Sequence, residues 1–129
     1  MQSDRTILVI DDEEMVRSLA RKILNRAGFA AALVSSGEEG LTTLKRQPPP
    51  CSLVIMDYSL DDLSGVDLMY AVRSVVPGIP IIVSSGEAID LDNIPIELHL
   101  HMRILSKPYR AFELTESVKI ALAIFSPSM

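Results

Sequence analysis

The stretch Leu53-Val54-Ile55-Met56-Asp57 runs four apolar residues straight into one carboxylate. So short an uninterrupted apolar run reads as a strand buried on both faces, the kind found inside parallel sheets. A charge in its middle would be stranded away from water. At its C-terminal tip the Asp can meet solvent, an ion or another chain, because ligand sites of open α/β sheets lie beyond the carboxyl ends of the strands. The run Ile7-Leu8-Val9-Ile10 does the same, ending in Asp11-Asp12. If the two strands are parallel neighbours, three carboxylates converge at one edge of the sheet. Such a cluster is costly unless a cation or a proton neutralises it.

The rest of the chain alternates in the same way. Met15, Val16, Leu19, Ala20, Ile23, Leu24 and Ala27 repeat at the spacing of one helical face, and Gly28 stops that helix. Residues 29–34 form a short second strand. Ser36 and Glu39 make a capping-box pattern for a helix that turns Leu41 and Leu44 inward, and Pro48-Pro49-Pro50 ends it as a stiff connector. Residues 58–64, with Asp61 and Asp62, read as a loop. Ser64 caps a third helix carrying Leu68, Val72, Val75 and Val76 inward, ended by Pro77-Gly78.

A fourth strand is expected over 79–83, terminating in Ser84-Ser85-Gly86. Pro95 interrupts the apolar spacing of residues 88–102, so at most a short or broken helix is expected there. Met102 to Ser106 gives a fifth strand closed by Lys107-Pro108, and a last helix sets Ala111, Leu114, Val118, Ala121, Leu122 and Phe125 on one face. Five strand–helix pairs imply a doubly wound parallel sheet with right-handed crossovers and helices on both faces.

At 129 residues and 48% hydrophobic content this is one domain, residues 1–129 with a core over about 6–125, large enough to fold without disulfides or a structural metal. The net charge of −5 argues against direct nucleic-acid binding, which relies on Lys and Arg neutralising phosphates. Cys51 is the only cysteine and reads as inert core suited to a reducing compartment. The first apolar run is too short for a signal peptide or a membrane span, so a soluble cytoplasmic protein is expected.

Strand tips one, three, four and five would then supply Asp11-Asp12, Asp57, Ser84-Ser85 and Lys107. Carboxylates suit a hard divalent cation, Mg²⁺ above all, which takes a few carboxylates with waters and phosphate oxygens. Beside it Asp57 could act as a nucleophile toward phosphorus, while Lys107 and a Ser hydroxyl hold the other phosphoryl oxygens. Singly, each residue has a plainer role. Asp12 could cap the first helix, Lys107 could be a solvated surface charge, and the serines could be turn formers.

Together, the joint spacing of Asp11-Asp12, Asp57, Ser85-Gly86 and Lys107-Pro108 resembles the receiver domain of two-component response regulators, over nearly the whole chain from Ile7 to Phe125. The resemblance implies the flavodoxin-like strand order 2-1-3-4-5, which receivers of the chemotaxis type show. It implies that Asp57 takes a phosphoryl group from a histidine kinase or phosphotransfer protein, with Ser85 and Lys107 contacting it. It further implies Mg²⁺ held directly by Asp12 and Asp57, by Asp11 through water, and by the backbone carbonyl of Ser59. Such a protein is no enzyme beyond its own phosphorylation and dephosphorylation, and it switches an output protein that the sequence does not name. A free-standing receiver and one cut from a hybrid histidine kinase would look alike.

Several positions depart from the family pattern. Asp61 stands where Pro is common, Ser64-Gly65 replaces a frequent Asp-Gly, and Ile104 occupies the switch position of strand five where many receivers carry Tyr or Phe. Other classes fit less well. A flavodoxin-like cofactor binder needs a loop of free amides, and here the acidic Asp11-Asp12-Glu13-Glu14 would repel phosphate. A phosphatase of the haloacid dehalogenase type would carry an acid two residues after its nucleophile, where Ser59 stands. A non-phosphorylated adaptor would have no need of the intact acidic, hydroxyl and Lys positions. His99 and His101 could suggest a metal pair, but neither a Cys nor a third His accompanies them.

Overall fold

The computed structural model describes residues 6–46 and 50–124. Pro48, Pro49, Phe125 and the expected helix stop at 126–128 lie outside the described residues. Five strands, β1 (Thr6–Ile10), β2 (Ala30–Val34), β3 (Leu53–Asp57), β4 (Ile81–Ser85) and β5 (Met102–Ser106), pair in parallel in the order β2-β1-β3-β4-β5. Among the described residues, α1 (Glu14–Arg26), α2 (Gly37–Leu44) and α3 (Gly65–Val75) supply three of the crossovers, and α4 (Ala111–Ile124) supplies the C-terminal cover.

Period-two alternation along the strands divides the core. Leu8, Ile10, Val54, Met56, Ile81 and Val83 pack with Leu44 of α2 and Leu68, Met69 and Val72 of α3 on one face. Ile7, Val9, Leu53, Ile55, Ile82 and Leu105 pack with Ala20, Ile23 and Leu24 of α1 and Leu114, Val118 and Ala121 of α4 on the other. Every residue of β3 and β4 is buried, whereas the edge strand β2 has no buried residue. Burying one large aliphatic side chain is worth about 1.5–3 kcal/mol, so the central strands can spare no apolar position for a charge before their tips.

Helix ends follow local chemistry. Ser36 Oγ accepts the Glu39 N–H at 3.1 Å, as a capping box requires, but Glu39 reaches back to the Ser35 N–H at 2.9 Å, one residue earlier than the standard box. Ser64 Oγ caps α3 through the Asp67 N–H. Asp12 does not cap α1: Glu13 takes the N-cap position without a side-chain bond, and Asp11 Oδ1 accepts the Glu13 N–H at 2.9 Å. Gly28, at φ +94°, follows the α1 C-cap in the left-handed conformation that glycine adopts without penalty.

β4 starts and ends two residues later than expected, at 81–85 rather than 79–83, because Pro80 has no N–H to give the ladder and the two serines extend it. The fourth crossover contains no α-helix. It is built from two 3-10 turns, Leu91–Asn93 and Ile96–Leu98, divided at Pro95, and Ile94 and Leu98 alone among its aliphatic residues are fully buried. His99 Nε2 faces the carbonyls of Leu91 at 3.2 Å and Ile94 at 2.9 Å, so its ring ties this segment together.

Candidate functional site

Register brings the acidic tips level. Ile10 pairs with Met56 across β1–β3, so Asp11 and Asp57 follow side by side, and Asp57 pairs with Ser84 while Ser85 pairs with Ser106. Asp11, Asp12 and Asp57 each present a carboxylate oxygen within 4.8 Å of the others. Asp11 and Asp57 are buried and Asp12 is exposed. The convergence expected from the two apolar runs is present.

One cation is built into it. Lys107, one residue beyond β5, places Nζ 2.9 Å from Asp11 Oδ2 and 3.2 Å from Asp57 Oδ2. Burial opposes the charge of that ammonium, but the hydrogen bond it donates to Asp11 and the charges of Asp11 and Asp57 outweigh it and hold the Lys107 pKa above the ordinary lysine value. The ammonium therefore stays charged as a bridge and does not act as a base. Asp12 shares no such bridge. Its pKa is raised by desolvation and by the charges of Asp57, Asp61 and Asp11. An all-oxygen set that leaves one carboxylate under like-charge pressure fits a hard divalent cation, with Mg²⁺ first among them.

The remaining expected residues sit close by but are engaged differently. The Ser59 N–H donates to Asp57 Oδ1 at 3.0 Å and fixes the rotation of that carboxylate. The Ser84 hydroxyl donates to the Met56 carbonyl at 3.4 Å within the sheet, while Ser85 Oγ accepts the Glu87 N–H at 3.0 Å and has no bond to Asp57. The Lys107 N–H donates to the Ser85 carbonyl at 2.8 Å, linking the two tips through backbone. Ile104, half-buried, pairs with Val83 in the ladder. The Lys107–Pro108 peptide bond is cis.

Arg17, Asp62 and Tyr109 are marked by no motif, yet each shapes the site. Arg17 Nη1 donates to the Asp11 carbonyl at 2.7 Å, and six residues of separation give that bond no signature beyond helical spacing. Asp62 accepts from the N–H groups of Gly37 at 3.1 Å and Glu38 at 3.0 Å, so the loop after Asp57 caps α2. Desolvation opposes the charge of this exposed carboxylate, but those N–H groups hold its carboxyl below the usual value. The sequence cue was a carboxylate in the loop, without its partner. Tyr109 lies half-buried two residues after Lys107, its phenol pushed up by burial and by Asp11 against the opposing charge of Lys107.

The profile of the response regulator receiver domain matches residues 7–119. The chain is 27% identical over 122 residues to the transcriptional regulatory protein GlrR of Escherichia coli, covering 95% of this chain and 27% of that protein. It is 28% identical over 120 residues to the alkaline phosphatase synthesis transcriptional regulatory protein PhoP of Bacillus subtilis, covering 92% of this chain and 49% of that one. The autoinducer 1 sensor kinase/phosphatase LuxN of Vibrio harveyi is 29% identical over 83 residues, 64% of this chain and 10% of LuxN. This chain thus spans less than half of each of these relatives. A receiver domain from Clostridium thermocellum superposes with a TM-score of 0.83 at 28% identity, covering 96% of this chain and 98% of that one. With its sheet order, its acidic tips and nearly its whole described length in agreement, the chain belongs to the response regulator receiver domains of two-component systems.

Proposed function

We propose that Asp57 accepts a phosphoryl group from a histidine kinase or phosphotransfer protein and that the resulting aspartyl phosphate switches a protein partner. The observation that carries this reading is the convergence of Asp11, Asp12 and Asp57 around the Lys107 ammonium at the carboxyl edge of the sheet. A carboxylate oxygen of Asp57 attacks phosphorus, an oxygen–phosphorus bond forms, and the bond from phosphorus to the donor's nitrogen breaks with its electron pair leaving on nitrogen. Phosphoryl transfer asks the protein mainly for positioning and charge neutralisation. Asp11, Asp12, Asp57 and the Ser59 carbonyl would hold Mg²⁺, which when bound supplies positive charge for the phosphoryl oxygens.

The chain's own groups do the rest. The Ser59 N–H orients the Asp57 carboxylate, and Lys107, already charged and within reach, exchanges part of its contact with the carboxylates for a phosphoryl oxygen. Ser85 Oγ accepts from the Glu87 N–H, which leaves its own O–H to donate to the phosphoryl group. No separate substrate is turned over. The acidic net charge fits an output through protein contact and not through nucleic acid, and the reading places the domain in the cytoplasm. The likeness to LuxN favours a second arrangement, in which the domain serves as a module of a larger sensor kinase.

Acetyl phosphate with Mg²⁺ should add one phosphoryl mass to the intact protein. EDTA should prevent the addition, and Asp57→Asn should abolish it. Labelling that survives chelation, or that persists at the wild-type level in Asp57→Asn, overturns the proposal, and an unlabelled wild type makes the domain a non-phosphorylated adaptor.

A further inference from the structure

The sheet ends on one side in β2, which pairs with β1 and with no other strand among the described residues. The Asp11 N–H donates to the Val34 carbonyl, so by the alternation of a parallel ladder Ala30, Ala32 and Val34 turn their peptide groups toward β1, and Ala31 and Leu33 turn theirs to the open edge. The open stretch is bounded: the Phe29 N–H donates to the Leu24 carbonyl at 2.9 Å and the Ser35 N–H to Glu39 Oε1 at 2.9 Å. Natural sheets blunt such an edge with charge, proline or a bulge. The other edge, β5, carries Arg103 in mid-strand, whereas Ala30 to Val34 carry no charge and none of them is buried.

The flanking helix indicates what covers that edge. A cleft of about 420 Å³ lined by Leu33, Val34, Glu38, Glu39, Thr42 and Thr43 marks the side of α2 that borders the strand. Along that side the charge changes sign: Glu38 and Glu39 stand in the first turn, Lys45 and Arg46 follow three and four residues after Thr42, and all of these charges are exposed. We infer that β2 pairs antiparallel with β2 of a second copy of this chain, across a two-fold axis that passes at Ala32 and stands normal to the sheet. In that register Ala31 exchanges its outward bonds with the partner's Leu33, and Leu33 exchanges its own with the partner's Ala31. The axis keeps both α2 helices on one face and runs them in opposite directions, so Glu38 and Glu39 approach the partner's Lys45 and the partner's Arg46. A two-fold contact uses the same patch twice, and a stripe acidic at one end and basic at the other complements itself only when reversed. An extended strand of a different protein would take up the same backbone bonds, but it gives the charge reversal along α2 no role. The inference goes beyond phosphorylation at Asp57 and does not depend on it.

Sedimentation of the unphosphorylated chain in EDTA should show its average mass rising from 14.2 kDa toward twice that value between micromolar and millimolar concentration, and stopping there. Amide exchange read by NMR at the two ends of that range should slow at Ala31 and Leu33 by about tenfold or more, with little change at Ala30 and Ala32, whose N–H groups already face β1. Lys45→Glu with Arg46→Glu should weaken the dimer by about tenfold or more. Glu38→Lys should weaken it too, and mixing the two variants should recover part of the loss, which also shows that both are folded. Phe112→Ala, at an exposed residue of α4, should change nothing. A chain that stays monomeric over the whole range overturns the inference. So does a dimer without protection at Ala31 and Leu33, one that neither charge variant weakens, one that Phe112→Ala dissociates, or a mass that climbs past the dimer.

Discussion

Replacing Lys107 with Met keeps the stem that packs between the strand tips and removes only the charge. The ammonium lies 2.9 Å and 3.2 Å from two carboxylates whose side chains are 3% and 10% exposed, and its own side chain is 16% exposed. Without it, Asp11 and Asp57 face each other at no more than 4.8 Å, a repulsion of about 3 kcal/mol at an effective dielectric of 20. Relaxation and entry of water reduce that, while loss of a buried ion-pair partner by itself costs about 3–5 kcal/mol, so a net loss of about 2–3 kcal/mol is expected in EDTA. At about 4 °C per kcal/mol for a domain of this size, the midpoint should fall by about 8–12 °C. Adding Asp57→Asn to Lys107→Met should recover most of the loss, since contacting residues are not additive. Mg²⁺ should stabilise Lys107→Met more than wild type, because the ammonium no longer competes for the same oxygens. Urea and thermal unfolding with EDTA and with Mg²⁺ measure all of this. A Lys107→Met protein within about 1 kcal/mol of wild type in EDTA, or one that Asp57→Asn does not rescue, refutes the reasoning.

Asp12 has a folded pKa above its unfolded value, so stability falls as the pH rises from the unfolded value through the folded one, and the full cost is present above it. Asp12→Asn should therefore melt above wild type in EDTA at neutral pH, lose that advantage below about pH 3.9, and lose the response to Mg²⁺. Asp62 has the opposite sign: its stabilisation is present above its unfolded pKa and is lost as pH falls through the lowered folded one. Asp62→Ala should cost about 1 kcal/mol at neutral pH, the worth of a helix cap, and nothing in strong acid, as urea titrations at the two pH values would read. A Cβ at Gly65 would lie 2.3 Å from the Tyr58 ring and 2.9 Å from the Tyr58 carbonyl, so Gly65→Ala should lower the urea midpoint by about 1–3 kcal/mol equivalent. With beryllofluoride standing in for the phosphoryl group, amide exchange should change most between Gly86 and Met102, where 3-10 turns replace a helix, and less at Leu105. A change confined to the surroundings of Asp57 would contradict that output route.

The sheet was legible because burial on both faces leaves a one-dimensional signature. Leu53 to Met56 and Ile7 to Ile10 can only be apolar if they are central strands, and the carboxylates after them can only be tolerated at the tips. Pro95 likewise foretold a broken crossover from a single missing N–H. The end of β4 was less legible, since Ser84 and Ser85 look like turn residues until the register shows them paired. Long-range bonds left no local trace. Asp62 reaches back 25 residues to Gly37, and Lys107 lies 96 residues from Asp11, so the spacing of motifs could name Lys107 but could not show that it neutralises the cluster before any metal arrives.

Whether Asp57 is the acceptor can be read at the residue itself. After treatment with acetyl phosphate and Mg²⁺, borohydride reduces an aspartyl phosphate to homoserine, and peptide mass mapping locates the change. Homoserine at position 57 alone, absent when EDTA is present during labelling, is the predicted result. Homoserine at Asp11 or Asp12, or none at position 57 in a protein that carries the phosphoryl mass, would contradict the account.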